Sequence, residues 1–417
     1  MNRVHIVGAG LAGLSAAVRL ARIGQPVVLY ESSGHAGGRC RSFHDSVLDC
    51  TIDNGNHLLL SGNRSARAFL DEIGAGDTLT GPGEAAFPFV DLNTGDRWTV
   101  RLNDGLLPWW IFHTSRRPPD TGPTDFLSIL KLARAAPGAT VGGLFGDDGA
   151  FFSRFLEPLA IAALNTPLEQ AAAGPLWQVF RETFARGGAA CRPLIARDGL
   201  SGSFVAPALA FLERHGVPVC FNKRLNLVAT EKTRAVRLEF AGEAVELNTE
   251  DRVLLALPPA GLQSVLPGTS APLDSHAIVN IHFKLDGPIA ATHNTPILGV
   301  LGGVAEWLFV RGAVVSVTVS AADTLADCTA SDIATRVWCD VAQALNIAGK
   351  IPPYRVVKER RATFSQTPSA IALRLPTRTA LENLFLAGDW TDTGLPATIE
   401  SAVRSGHNAA AAIVETW

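Results

Sequence analysis

The sequence predicts an α/β fold built on a parallel sheet, with a second, α+β part inserted in pieces. Three observations lead there. Val4-His5-Ile6-Val7 reads as a short buried strand running into Gly8-Ala9-Gly10-Leu11-Ala12-Gly13, and an Ala-rich helix follows from Leu14 to Ile23. A second strand, Val27 to Tyr30, ends at the acidic Glu31. Near the other end, Leu384 to Ala387 is again a buried strand, followed by a turn at Gly388-Asp389, a loop, and a helix starting near Pro396. Between these ends lie runs with strand alternation and helical stretches.

Strand, glycine turn, helix and an acidic residue roughly 20 positions on form the context in which G-x-G-x-x-G binds a dinucleotide. Gly8 makes the tight turn, Gly10 lets backbone approach a pyrophosphate, and Gly13 allows close helix–strand packing. Leu11 and Ala12 open the helix at that point. Glu31, with Ser32 beside it, is placed to accept from ribose hydroxyls, which favours FAD or NAD over NADP. Gly37-Gly38-Arg39 adds a glycine turn and a cation that can meet the pyrophosphate; the plainer use of Arg39 is a surface ion pair. At the C-terminal unit, a helix N-terminus near Ala397, Thr398 and Ile399 offers free N–H groups and the positive dipole end to a phosphorylated cofactor. For a flavin, that end can stabilise the anionic N1/O2 edge of the reduced ring, while Asp389 accepts from ribityl hydroxyls.

Composition bounds the rest. A chain of 417 residues suggests two or three domains. A net charge of −3, with no long basic run, argues against nucleic acid as a partner. The mean hydropathy of +0.19 fits an apolar cavity or a membrane-facing patch, and Ala and Leu richness alone also produces it. No apolar run approaches the ~20 residues of a membrane span, and no charged-then-apolar leader precedes the first strand. The six cysteines are scattered without a CxxC, which predicts reduced thiols in a cytosolic protein and no metal site.

Along the chain, Asp53-Asn54-Gly55-Asn56-His57-Leu58 is a polar loop whose glycine permits close backbone approach. Asp53 reads as a loop brace; His57 is open between an active-site and a structural role. Phe87 to Arg101 alternates as a hairpin around Asn93-Thr94-Gly95-Asp96. Leu106 to Phe112, containing Trp109 and Trp110 and followed by Arg116-Arg117, suits a membrane interface or the mouth of a lipid tunnel, or an ordinary core-facing helix. Pro118 to Pro123 is the expected flexible loop. Helices are expected over Thr124 to Ala135, Gly149 to Ala163, Pro175 to Ala185, Gly199 to Arg214 and Ser331 to Leu345. Strands are expected at Val217 to Phe221, Leu225 to Val228, Ala235 to Phe240, Arg252 to Leu257, Ile278 to Leu285, Trp307 to Val310, Ala313 to Ser320 and Tyr354 to Phe364.

GAGLAGLSAA, Glu31, GGR and the C-terminal GD…TIE…A…SG together resemble the FAD superfamily of amine oxidases and phytoene-type desaturases. The resemblance implies a glutathione-reductase-like FAD domain over 1–84, 195–268 and 376–417, and a substrate domain over 85–194 and 269–375. It implies that Gly55, Asn56 and His57 pass beside the flavin ring and that backbone near Leu225 meets adenine. The aromatic cage of an amine oxidase is not evident: tyrosines are only Tyr30 and Tyr354, Thr398 stands at the late aromatic position, and Asn280 lies near the expected flavin-side lysine. No cysteine follows Cys339, so the FAD is expected to be non-covalent.

The strings DNGNHLLL (53–60), IVNIHFKLD (278–286), EWLFVR (306–311), KERRATF (358–364) and AGDWTDTGLPATIESAVRSG (387–406) narrow this. They resemble the squalene-associated FAD-dependent desaturase-like family, the hydroxysqualene dehydroxylases of hopanoid biosynthesis, over essentially the whole chain. Asn56 stands where that family would carry Gln, and Ser401 where the superfamily usually has Gly. The resemblance implies reductive removal of the hydroxyl of hydroxysqualene to give squalene and water, at a cytoplasmic membrane surface reached without a spanning helix. His57, Asn280 and His282 are the candidates for its polar end, with Arg311 more distant. His282 and Asn280 alternate in one strand and so share a face. Trp307 and Trp390 are candidate tunnel walls, with core packing the alternative. An oxidative carotenoid- or phytoene-type desaturase, and a non-catalytic prenyl-lipid escort protein, are the other readings; an intact FAD cradle argues against the escort.

Overall fold

The computed structural model describes residues 2–146, 149–289 and 296–417. Its first sheet is parallel and five-stranded, in the order Val219–Cys220, Val27–Tyr30, Val4–Val7, Arg252–Leu255, Leu384–Leu386. Val4 pairs with Val27 on one side and Arg252 on the other, and Val253 pairs with Leu384. The central strands are buried at every position, which is why they read as near-continuous apolar runs. Because the strands are parallel, Val7, Tyr30, Leu255 and Leu386 end on one edge. The turns after residues 7, 30 and 386, from opposite ends of the chain, therefore meet there.

Helices Leu11–Arg22 and Ile399–Val414 pack together beside this sheet. They cross at Gly406, where a Cβ would lie 2.2 Å from the Ala12 carbonyl oxygen. Ser15 Oγ donates across the crossing to the Val403 carbonyl at 3.3 Å. The small residues of both helices are thus a packing requirement. An antiparallel sheet of Leu225–Glu231, Arg234–Phe240 and Glu243–Glu246 adjoins the parallel one.

The largest sheet has seven strands in the order Tyr354–Phe364, Ser275–Lys284, Val314–Val319, Trp307–Arg311, Ile297–Leu301, Ala86–Asp91, Arg97–Arg101. One face buries Val279, Ile281, Leu308 and Val317 against Ile333 and Val337 of the helix Ala330–Leu345. On the other face, Phe89, Trp307 and Phe309 join an aromatic cluster with Phe155 and Phe180, under helices Glu157–Leu164 and Ala173–Glu182. This second face also carries Asn280, His282, Ser316 and Thr318, an alternating polar set in two adjacent strands.

The structure corrects several expectations. The C-terminal helix begins at Ile399, because Thr398 is extended and its Oγ1 caps the helix by accepting from Ser401 N at 3.2 Å. Leu106 to Phe112 is not one helix: Trp109–Phe112 is a 3₁₀ turn that buries Trp110 and Ile111 and exposes Trp109 and Phe112. The stretch from Thr124 resolves into a 3₁₀ turn, Asp125–Ile129, and a single α turn, Leu130–Ala133. Ile297–Leu301 is a strand that alternation does not reveal. Gly299 at its centre leaves room for Phe89, whose ring would lie 2.3 Å from a Cβ there.

Candidate active site

The glycine turn separates into two kinds of position. A Cβ on Gly8 (φ +105°) would lie 2.4 Å from the Ala256 carbonyl oxygen, and one on Gly13 would lie 1.9 Å from the Gly8 carbonyl oxygen. Both glycines are demanded by packing. A Cβ on Gly10 would meet nothing within 4 Å, so that glycine keeps open a space the fold itself does not fill. Gly37 bridges to Gly10, and Gly38 and Arg39 are exposed beside it. The helix Leu11–Arg22 has no side-chain cap, so its first amides, including those of Leu11 and Ala12, are free for an anion. Glu31 is fixed by Ala9 N–H (2.8 Å), Ser33 N–H (2.9 Å) and Ser32 Oγ (3.1 Å). Asn222 and Lys223 donate backbone N–H to the Ser33 and Glu31 carbonyls. That places buried Leu225 just beyond Glu31. An open groove over Gly10, free helix amides and a fixed carboxylate fit a dinucleotide.

The C-terminal motif closes this groove. Arg39 Nη2 donates to Asp389 Oδ1 at 2.7 Å and Nη1 to the Ala362 carbonyl at 2.5 Å. Gly388 N–H donates to Ser405 Oγ at 2.8 Å. Ser401 Oγ donates to the Asp389 carbonyl at 3.1 Å and lies 2.6 Å from Thr393 Oγ1. Ser401, where the resemblance expects Gly, thus ties the Asp389 turn to the helix end that presents Ala397, Thr398 and Ile399.

A polar node lies between the loop 53–57 and the seven-stranded sheet. Asn280, 1% exposed, accepts at Oδ1 from Thr318 Oγ1 (2.8 Å) and Asn56 N–H (3.3 Å), and its Nδ2 donates to the Asn54 carbonyl (3.4 Å). Asn56 Nδ2 donates to Thr318 Oγ1 at 3.1 Å, leaving Asn56 Oδ1 buried without a partner among the described residues. A Cβ on Gly55 would lie 3.2 Å from Asn280 Nδ2, so the glycine admits this contact. Asp53 is a brace: its carboxylate accepts from Ser42 Oγ (2.6 Å), Leu200 N–H (2.9 Å) and Arg311 Nη2 (2.5 Å). Arg311 is therefore committed to that ion pair.

Burial pushes His57 down to about 4; Asp53 opposes that shift and Arg39 adds to it. His282 is likewise pushed down to about 4 by burial, with Nδ1 2.7 Å from Ser316 Oγ. Both imidazoles are neutral near pH 7, so they can orient a polar group but carry no proton surplus. His57 lines a small cavity with Asp53, Asn56, Ile195, Phe309 and Arg311.

Four of the eight tryptophans, the candidates Trp109, Trp110, Trp307 and Trp390, have different surroundings. Trp390 is 1% exposed, and its indole donates to the Leu257 carbonyl at 2.8 Å. A Cβ on Gly388 would lie 2.7 Å from that indole nitrogen, so Trp390 packs in the core under the Gly388 turn. Trp110 packs edge-on to Phe126 in the core, while Trp109 is at the surface. Trp307 is buried edge-on to Phe89 at 5.4 Å, and its indole N–H has no partner among the described residues. Sequence reasoning missed Thr318 and Ser405 and noted Ser401 only as a departure from Gly; the alternation of Ala313 to Ser320 is the signal that could have placed Thr318 on the Asn280 face.

A model of the "Flavin containing amine oxidoreductase" family matches residues 11–414. The chain is 47% identical to a hydroxysqualene dehydroxylase of Sinorhizobium fredii and 45% identical to one of Rhodopseudomonas palustris, in each case over 98% of this chain and 97% of the relative. Relatives named zeta-carotene or phytoene desaturase stand at 23–24%. Among solved structures, a putrescine oxidase bound to putrescine shares the fold, with a TM-score of 0.73 at 16% identity over 99% of both chains. The chain belongs to the flavin-containing amine oxidoreductases, and within them to the family of the hydroxysqualene dehydroxylases.

Proposed function

We propose that the protein removes the hydroxyl of hydroxysqualene, giving squalene and water at the expense of reduced, non-covalently held FAD. Near-full-length kinship with hydroxysqualene dehydroxylases carries this reading. Residues 1–84, 195–268 and 376–417 form its FAD-binding domain, and 85–194 and 269–375 its substrate domain. Gly8, Gly10, Leu11, Ala12, Gly13, Gly38 and Arg39 hold the pyrophosphate; Glu31 and Ser32 hold the ribose; Leu225 backs the adenine. Asp389 and the helix end at Ala397, Thr398 and Ile399 face the flavin end, with Gly55, Asn56 and His57 along the ring.

The bound, reduced flavin supplies a hydride. The chain must do the rest: hold a long apolar molecule with its allylic carbinol carbon at the ring, keep water away, and take up the hydroxyl as water. The aromatic cluster around Phe89, Phe155, Phe180 and Trp307 supports the first two tasks. The Asn56–Thr318–Asn280 node beside neutral His57 and His282 supports the last, as a small polar patch in apolar surroundings.

Such a substrate resides in a membrane. Leu106 and Leu107 are 75% and 80% exposed, and Phe112 is 69% exposed. Trp109 lies beside them with the Arg116 guanidinium 4.8 Å over its ring. Exposed leucines and an aromatic under a cation suit the headgroup boundary of an anionic bilayer. No helix among the described residues is long and apolar enough to cross it. We infer peripheral attachment to the cytoplasmic face through this surface.

The reading is tested chemically. Protein, FAD, a reductant and hydroxysqualene are expected to yield squalene. Conversion of phytoene to a more unsaturated polyene by the oxidised protein, without squalene formation, would select the desaturase reading instead.

A further inference from the structure

The polar node fixes the direction of one side-chain amide. Asn280 is set by backbone groups that cannot flip: its Nδ2 donates to the Asn54 carbonyl at 3.4 Å, and its Oδ1 accepts the Asn56 N–H at 3.3 Å. The same Oδ1 accepts the Thr318 hydroxyl proton at 2.8 Å. With that proton spent, Thr318 Oγ1 can only accept, so the nitrogen of the Asn56 amide faces it, at 3.1 Å. A flipped Asn56 would set two oxygens together with no proton between them. Asn56 Oδ1 is thus turned away from Thr318, buried and without a partner among the described residues. A buried acceptor in that state is costly, and a proton brought by a ligand relieves it.

The surroundings of that amide suit a hydroxyl. Asn56 and His57 stand in the wall of one small cavity, with Ile195, Leu200 and Phe309 as apolar neighbours. Its two charged residues, Asp53 and Arg311, are bonded to each other. The cavity has a volume of about 10 Å³, roughly what a single water or hydroxyl oxygen needs. Burial keeps His57 neutral, so its ring has one N–H to donate. An acceptor and a donor beside room for one oxygen match an alcohol, which has a proton to give and lone pairs to fill. The other two polar candidates do not offer this contact. Asn280 Oδ1 already accepts twice. His282 lies between Ser316 Oγ and the Asp53 backbone and is not part of the cavity wall.

We propose that Asn56 Oδ1 accepts the proton of the substrate hydroxyl, and that this contact makes the site select the alcohol over the hydrocarbon it becomes. The His57 N–H donates to the same hydroxyl oxygen. Thr318 is a positioning residue: it touches no substrate and acts by holding the amide nitrogen, which leaves the amide oxygen to the ligand. Squalene brings no proton to Asn56, so the site holds substrate in preference to product. The assignment rests on the dehydroxylation reading and names the residue that carries its specificity.

The test is equilibrium binding of labelled hydroxysqualene and labelled squalene, presented in detergent micelles, to the oxidised holoenzyme. Flavin content and thermal unfolding are recorded for each variant. Wild-type protein should bind the alcohol about tenfold or more tighter than the hydrocarbon. N56L, close to Asn in shape, should fold, keep its flavin, bind squalene as wild type does, and hold the two ligands within about twofold of each other. T318V should lose part of the preference, about threefold, while T318S, which keeps the hydroxyl, retains it. The proposal is overturned if N56L keeps the wild-type preference or loses affinity for both ligands alike. It is also overturned if N56L folds without flavin, since the amide then serves the cofactor. Should N56L fail to fold, the Thr318 pair decides: the same preference in T318V and T318S overturns the proposal. So does a wild-type enzyme that makes squalene when reduced yet binds both ligands equally. A wild-type enzyme that makes no squalene would count against the dehydroxylation reading itself.

Discussion

Arg39 and Asp389 lie 350 residues apart in the chain and are joined by a 2.7 Å hydrogen bond between Nη2 and Oδ1. The contact couples the glycine turn of the N-terminal cradle to the Gly-Asp turn of the C-terminal one. Asp389 is 7% exposed while Arg39 faces the groove. R39A is therefore expected to cost about 1–3 kcal/mol, between a surface and a buried pair, and to give protein depleted in flavin. R39K keeps one contact at most, since the guanidinium serves Asp389 and the Ala362 carbonyl at once. Flavin content after purification should rank wild type, R39K, R39A.

Gly10 and Gly13 make opposite demands. G10A places a methyl in the open groove and should leave the apo-protein within about 0.5 kcal/mol of wild type, yet abolish flavin retention. G13A drives a methyl into the Gly8 carbonyl and should destabilise or prevent folding. Apo-protein unfolding curves and flavin titration separate the two effects. A flavin-replete G10A protein would remove Gly10 from the cradle.

Acid should destabilise the fold through its histidines. Burial holds His57 and His282 down at about 4 and His407 at about 3, against an ordinary value of 6.5. They stay neutral when folded but take protons when unfolded. Their contribution is present above about pH 6.5 and is lost as pH falls toward 4, at up to ~1.4 kcal/mol per pH unit for each group. Urea unfolding at a series of pH values should show H57Q/H407Q losing about two protons' worth of that slope. An unchanged slope would mean that these imidazoles titrate freely in the folded state.

The exposed leucines and the buried tryptophan of the segment 106–112 should behave differently. Replacing exposed Leu106 and Leu107 with Glu is expected to lower co-sedimentation with anionic vesicles by about tenfold or more while leaving stability and flavin spectrum intact. W110A removes a core ring packed on Phe126 and should cost ~3–5 kcal/mol. Equal vesicle binding by the Leu106/Leu107 variant would place membrane contact elsewhere.

Much of the cofactor half was legible because its constraints are local. Gly8 and Gly13 are required by carbonyls within the first turn or the adjoining strand, and a fixed spacing encodes that. The strand pattern likewise located the Asn280 and His282 face. The contacts of Thr318 and Ser401 were not legible, because they depend on partners that the fold brings together: Thr318 meets Asn280 only through strand pairing, and Ser401 meets the Asp389 carbonyl only where the helix end packs on that turn. Trp390 was open between a tunnel wall and core packing for a related reason. The sequence does not say which way the indole turns; the missing Cβ of Gly388 lets it fold inward onto Leu257. Ile297–Leu301 escaped because Gly299 interrupts its apolar run for the sake of a ring on another strand.

The most direct measurement is the stoichiometry of one anaerobic turnover. Protein reduced to completion is mixed with hydroxysqualene, and oxidised-flavin absorbance is followed while products are quantified. One squalene formed per flavin reoxidised, in the absence of oxygen, is the predicted result. Reduced flavin that persists with the substrate bound and unchanged would contradict the assignment.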